Sequence, residues 1–299
     1  MKVTAFSREI HRLLGSRSES VLLYNDGQFT EGPVWLPQQN CLIWSDIPTS
    51  RLLKWSVEQG VSVFRSDSNY ANGNTRDGSD RLVTAEQKTR RVTLTERDGS
   101  ITVIADAFEG RRLNSPNDVV VRSDGSVWFT DPTYGLRECY PGAVSEQPHE
   151  YVFRVDEITG VVTAVASDFQ KPNGLAFSPD EQWLYVVDSG VTDAVAGNSH
   201  IRQFRVLADG TLSGGEVFAT TDGTPDGLRF DAEGNLWTSA GDGINVYSPT
   251  ADWLGRINCP GSVSNLAFGG PRGDQLFITG SSWLYCMRVA VTGAVFGAQ

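Results

Sequence analysis

Short apolar runs, each opening on an aliphatic residue and often closing on an acid, recur six times along the chain. They are Leu42-Ile-Trp-Ser-Asp46, Leu82-Val-Thr-Ala-Glu86, Val127-Trp-Phe-Thr-Asp131, Leu184-Tyr-Val-Val-Asp188, Leu236-Trp-Thr-Ser-Ala240 and Leu276-Phe-Ile-Thr-Gly280. Their starts lie 40, 45, 57, 52 and 40 residues apart. Ten or eleven residues ahead of each run stands a polar head, usually followed by Gly or a strand former: Glu31, Asn72, Asn117, Asn173, Asp226 and Asn265. Between head and run comes an Asp/Gly/Pro turn, as in Arg122-Ser-Asp-Gly125 and Phe177-Ser-Pro-Asp180. Strand, turn and strand is a hairpin pattern. A further strand pair follows most runs, such as Arg51-Leu-Leu-Lys-Trp55 and Ile201-Arg-Gln-Phe-Arg-Val206.

About four strands per unit is the scale of a propeller blade. The pattern therefore predicts an all-β protein, a six-bladed β-propeller of four-stranded antiparallel blades, forming a single domain over 1–299. Closure of the ring is expected from Val21-Leu-Leu-Tyr24, paired beyond Leu284–Val289 as the outer strand of the last blade. Residues 1–18 are left as an N-terminal extension outside the ring, with a short helix carrying Ile10, Leu13 and Leu14 on one face. The two longest spacings contain the loops Tyr134–Glu150 and Gly190–Ser199, where binding function is expected on a rigid scaffold.

Composition narrows the function classes. Charged residues make up 20 % and apolar residues 39 %, which does not fit a disordered chain. A net charge of −11, with basic doublets only at Arg90-Arg91 and Arg111-Arg112, argues against a nucleic-acid partner. No run of 18 apolar residues exists, so no membrane-spanning helix is expected. The N-terminus carries Lys2, Arg8, Glu9 and Arg12 and lacks the apolar centre of a secretory signal, so a cytoplasmic location is the expectation. Cys41, Cys139, Cys259 and Cys286 have no C-x-x-C spacing and read as buried free thiols. Nothing in the pattern sets an oligomeric state.

The heads carry the candidate chemistry. In a propeller the first strand of each blade lines the central channel, so six heads in register stand at one height around its axis. They bring two carboxylates and four amides. Glu31 and Asp226 facing each other across a narrow channel would repel, and one would hold a proton. One divalent cation removes the conflict. An all-oxygen donor set suits Ca²⁺ foremost, or Mg²⁺ or Mn²⁺, with Zn²⁺ a less natural occupant. The run ends Asp46, Glu86, Asp131 and Asp188 are expected to accept backbone N–H groups at strand ends. Of the three histidines, His149 lies in the long loop nearest the mouth. No Gly-x-Ser-x-Gly elbow or phosphate-cradling Gly-rich loop is present.

Several stretches together resemble the gluconolactonase, regucalcin and related lactonase family: Glu31-Gly-Pro-Val-Trp, Asn114-Ser-Pro-Asn-Asp118, Lys171-Pro-Asn-Gly-Leu175, and Pro225-Asp-Gly-Leu228 with Asp231-Ala-Glu-Gly-Asn-Leu-Trp237. Asn72-Gly-Asn-Thr-Arg-Asp77 and Asp131-Pro-Thr-Tyr-Gly135 are most like the bacterial members. The resemblance runs from about residue 20 to 290. It implies a six-bladed propeller with one catalytic divalent cation, often calcium or zinc. It implies Glu31, Asn173 and Asp226 as metal ligands, Asn117 at metal or substrate, and Asp226 as proton acceptor. Asn72 and Tyr134 join Asn117 as expected substrate contacts. The implied function is metal-assisted opening of a sugar lactone, such as glucono-1,5-lactone, by water. The same site could serve an aliphatic lactone or an organophosphate, or the chain could be a non-enzymatic calcium-binding propeller. Animal members place an Arg two residues before the substrate-contacting Asn, where this chain has Ser115.

Overall fold

The computed structural model of the chain describes residues 1–16 and 18–294. Arg17, within the predicted extension, and residues 295–299 of the predicted domain lie outside the described residues. Six antiparallel sheets are arranged as the blades of a propeller. Blade 1 runs from the channel outward as Thr30–Leu36, Cys41–Asp46, Arg51–Ser56 and Gly60–Ser66. Blades 2 to 5 repeat this order from inner strands Ala71–Arg76, Val119–Val121, Pro172–Phe177 and Pro225–Phe230. Blade 6 starts at Asn265–Gly269 and takes Ser20–Tyr24 as its outermost strand, with Val21 opposite Cys286 and Leu22 opposite Tyr285. That pairing closes the ring across the two ends of the chain, as the sequence pattern predicts.

Residues at the start of the chain are more than a loose extension. Strand β1 (Lys2–Ala5) adds a fifth strand to blade 5, with Lys2 opposite Asn258. Helix α1 (Glu9–Leu14) then buries Ile10, Leu13 and Leu14 against Trp237, Ile244, Leu266 and Met287 of blades 5 and 6. The strand was missed because four residues next to a sheet edge carry no periodicity of their own. What pairs β1 is the exposed edge of Trp253–Asn258, which only the folded ring presents.

The core lies between blades. Second-strand aromatics of the recurring runs, Trp44, Trp128 and Trp237, are fully buried. Each such side chain contributes on the order of 1.5–3 kcal/mol or more by leaving water. The indole N–H of Trp237 donates to Asp231 at 3.0 Å and that of Trp128 to Ser126 Oγ at 2.8 Å. All four cysteines are free, but only Cys41 is buried; Cys139, Cys259 and Cys286 are half-buried, which corrects the uniform expectation. Among the described residues, no helix is long and apolar enough to cross a membrane.

The Gly after a head has a structural cause. In four blades the inner strand shifts register at the head dipeptide, between Glu31 and Val34, Ala71 and Asn74, Pro172 and Leu175, and Pro225 and Leu228. Such a bulge re-aims one side chain out of the ladder. Here it lets neighbouring inner strands touch. A Cβ on Gly32 would come within 2.1 Å of Asn72 O, and one on Gly174 within 2.2 Å of Asp226 O. Gly174→Ala must push two backbones apart. It is expected to cost about 1–3 kcal/mol, the range for overpacking, read as a lower urea midpoint. An unchanged midpoint would mean the strands separate freely.

Candidate active site

The heads lie at the end of the channel where the inner strands meet the run ends: Thr30 pairs with Asp46 and Pro172 with Asp188. Both long loops leave from those run ends, so they cover the same mouth. Glu31, Asn72, Asn117, Asn173 and Asn265 are buried, and Asp226 is half-buried. Asn265 Nδ2 donates to Glu31 Oε2 at 3.0 Å, and the Gly32 N–H donates to the same oxygen. Asn173 Nδ2 donates to Ser189 Oγ at 3.1 Å, and Ser189 Oγ donates its own proton to Pro225 O at 2.6 Å. Asn173 Oδ1 is buried with no hydrogen-bond partner among the described residues. Asn72 and Asn117 make no side-chain hydrogen bonds among the described residues, although both are buried.

Electrostatics tie the two acids together. Burial pushes the Glu31 carboxyl up to about 8, and the charge of Asp118 adds to the shift. Donation from Asn265 and Gly32 pulls it back only in part. Asp226 is raised well above the ordinary carboxylate range, first by loss of water, then by Glu31 and Asp118; the Asn173 amide opposes this. Among the described residues, no three His, Cys, Asp or Glu side chains form a metal-holding group. The convergence is of two carboxylates with amide oxygens, of which that of Asn173 is buried without a partner. That is a charge and hydrogen-bonding deficit which a hard divalent cation would fill.

Asp118 and Arg229 are the residues that sequence reasoning missed. Asp118 is buried; its Oδ1 accepts the Val119 N–H at 2.9 Å, and its Oδ2 stands 3.5 Å from Arg229 Nη1. The channel therefore holds three carboxylates against one guanidinium, a balance of −2 if all are ionised. The signal was available: Asp118 occupies the position after a head where four other units carry Gly.

Three of the four run-end acids accept backbone N–H groups, as expected. Glu86 does not, and instead takes the side chains of Asn69, Thr89, Arg91 and Thr93, because its longer side chain reaches past the strand end to the hydroxyls and guanidinium around it. Asp46 accepts the N–H groups of Gln28 and Phe29, Asp131 that of Asn114, and Asp188 those of Gln170 and Lys171. Burial raises Asp131 to about 7 even so. Ser115 is buried and donates to Pro132 O at 2.5 Å, so its hydroxyl proton is already engaged by the backbone. His149 is exposed, with its ring edge-on to Tyr151. Tyr134 opens helix α2 (Tyr134–Cys139), and its hydroxyl meets Thr192 Oγ1 at 2.8 Å. Burial raises the Tyr134 phenol, Thr192 lowers it, and the charge of Asp226 raises it again. A separate cavity of about 490 Å³ opens at the far end of the channel, around Trp35, Arg76, Phe177 and Arg229, and no head lines it.

Comparison with known proteins identifies the scaffold. Residues 29–282 match the model of the SMP-30/Gluconolactonase/LRE-like region. The chain is 31 % identical to the gluconolactonase of Zymomonas mobilis over 317 aligned positions, covering 98 % of this chain and 87 % of that protein. It is 30 % identical to the pentonolactonase of Haloferax volcanii, covering 83 % of this chain and 80 % of that one. The structure of a Xanthomonas campestris gluconolactonase superposes with a TM-score of 0.89 at 35 % identity, covering 97 % of this chain and 95 % of that one.

Proposed function

Because the chain belongs to the SMP-30/gluconolactonase/LRE-like family, we propose that it is a lactonase, a carboxylic ester hydrolase that opens a sugar lactone of the glucono-1,5-lactone type to the aldonic acid. Full-length likeness to gluconolactonases supports the reaction class. The observation that carries the reading is the opposition of buried Glu31 and half-buried Asp226 beside the unpartnered Asn173 Oδ1. Glu31, Asn173 and Asp226 would hold one divalent cation, calcium foremost, with Asn117 at its edge. When bound, the cation supplies Lewis-acid polarisation of the ester carbonyl and neutralises the pair.

The remaining steps belong to the chain's own side chains. Asp226 would take the proton of the attacking water, which requires it ionised, the state favoured once the ion offsets the charge of Glu31. Glu31 is held by Asn265 and Gly32 and cannot swing toward substrate. Asn72 and Asn117 have amides to spare for the hydroxyls of a sugar ring. Tyr134 supplies an apolar wall at the mouth. Asp118, paired to Arg229, adds negative potential beneath the acids.

The reading is tested by stripping the protein with chelator, reloading it separately with Ca²⁺, Zn²⁺, Mg²⁺ or Mn²⁺, and following acid release from glucono-1,5-lactone and from a phosphotriester. Hydrolysis of the lactone that depends on one of these ions is the expected result. Tight ion binding without turnover of any ester would replace the reading with a non-enzymatic one. Asp118→Asn is expected to weaken ion binding by about 10-fold, the lower range for outer-shell changes, measured by titration calorimetry.

A further inference from the structure

One buried lysine joins the two long loops above the site. The Lys171 side chain is 1 % exposed. Its Nζ donates to Glu150 Oε1 at 2.6 Å and Thr133 Oγ1 at 2.9 Å, and lies 2.9 Å from Asp193 Oδ2. An ammonium has three N–H groups, and here three acceptors take them. Lys171 is therefore not free to act as a base or nucleophile.

What it holds is Tyr134. The ammonium sits 5.4 Å from the centre of the Tyr134 ring, within cation–π range. The Tyr134 hydroxyl meets Thr192 Oγ1, which donates to Ser189 O at 2.8 Å. Ser189 Oγ is the group that accepts from Asn173. Arg137, one helical turn after Tyr134, pairs with Asp193 at 2.6 Å. Lys171 itself stands two residues before Asn173, just ahead of the inner strand Pro172–Phe177, with its N–H on Asp188 at 2.8 Å. The aromatic ring is thus fixed from its face and from its hydroxyl, and both anchors run back to the strand that carries Asn173. Taking a lysine out of water is costly, and exposed ion pairs would join two loops more cheaply. The expense suggests a demand for geometry at this point.

We propose that Lys171 is a positioning residue that holds Tyr134 as a rigid wall of the mouth, and that this wall restricts the site to compact monocyclic esters. The proposal rests on the lactonase reading for its substrate and on the loop contacts for its mechanism, and these can be tested apart. Trypsin cleavage after the exposed Arg137 reports the tie without any assay of activity. Lys171→Met should speed that cleavage by about 10-fold or more, because the local opening cost falls.

On glucono-1,5-lactone, Lys171→Met should raise KM about 10-fold with kcat changed much less, as expected for loss of substrate positioning. The ratio of kcat/KM for dihydrocoumarin, a bicyclic aromatic lactone, to that for the sugar lactone should rise at least about 10-fold. Tyr134→Ala should reproduce the shift, and the double variant should add nothing to it, since both act through one wall. If Lys171→Met does not fold, Asp193→Asn removes contacts to Lys171 and Arg137 from the rim and should give a smaller shift in the same direction. An unchanged substrate ratio in the folded variants, or additive effects in the double variant, would overturn the proposal. Unchanged trypsin cleavage would overturn the tie itself. A wild-type protein that opens no lactone would sink the lactonase reading while leaving the cleavage result to judge the tie.

Discussion

Asp226→Asn is expected to lower lactone hydrolysis by about 10³-fold or more, since it removes both a proton acceptor and one charge of the site. Glu31→Gln should fall by a similar factor through the charge alone. Both changes keep the shape of the side chain, so the ring should stay folded. In ion-free protein both variants should be more stable than wild type, by about 1–2 kcal/mol, because a buried like-charge conflict is gone. Gain of stability with loss of activity is the mark of a functional acid; a structural one would lose both. Acid release in a pH-stat and thermal unfolding under chelator read the two effects. Full activity in ion-free Asp226→Asn would remove the proposed chemistry.

The second large effect is on stability against pH. The Glu31 carboxyl moves from its ordinary 4.5 to about 8 on folding, and Asp226 moves in the same direction. An acid that binds its proton more tightly when folded contributes fully below its unfolded pKa. That contribution is lost as pH rises through the folded value. Ion-free protein should therefore lose stability between about pH 5 and pH 9. The loss should be roughly 2–4 kcal/mol, since each tenfold gain in proton affinity is worth about 1.4 kcal/mol and the site relaxes in part. A saturating divalent cation should flatten the profile, and Glu31→Gln should flatten it without any ion. Urea midpoints measured across pH in chelator test this. A level ion-free profile would mean that the two carboxylates do not oppose each other.

Legibility in the sequence followed the range of the interaction. Blade number and strand order within a blade could be read because each depends on alternation and turn residues within about 50 positions. The closing strand at Ser20–Tyr24 pairs far along the chain, with Val21 opposite Cys286, and could be read only because a ring must close and one strand pattern was left over ahead of the first blade. Glu31, Asn72, Asn117, Asn173, Asp226 and Asn265 could be singled out because each stands ten or eleven residues ahead of a recurring run. The run-end acids Asp46, Asp131 and Asp188 do serve the backbone, and their partners lie about 17 or 18 residues away. The pairing of β1 with blade 5 escaped notice, because Lys2 and Asn258 are joined by the ring and by nothing in their local pattern.

By itself, then, the chain determined the repeat, the inward strands and the height at which oxygen donors gather, since periodicity and turn chemistry are properties of short segments. Only the tertiary structure decided which charges face one another. Asp118 meets Arg229 across two blades, and Lys171 collects Glu150 and Asp193 from loops on either side of it in the sequence. Coulomb energies depend on distance in space and on the water excluded between groups, and neither quantity exists until the ring has closed.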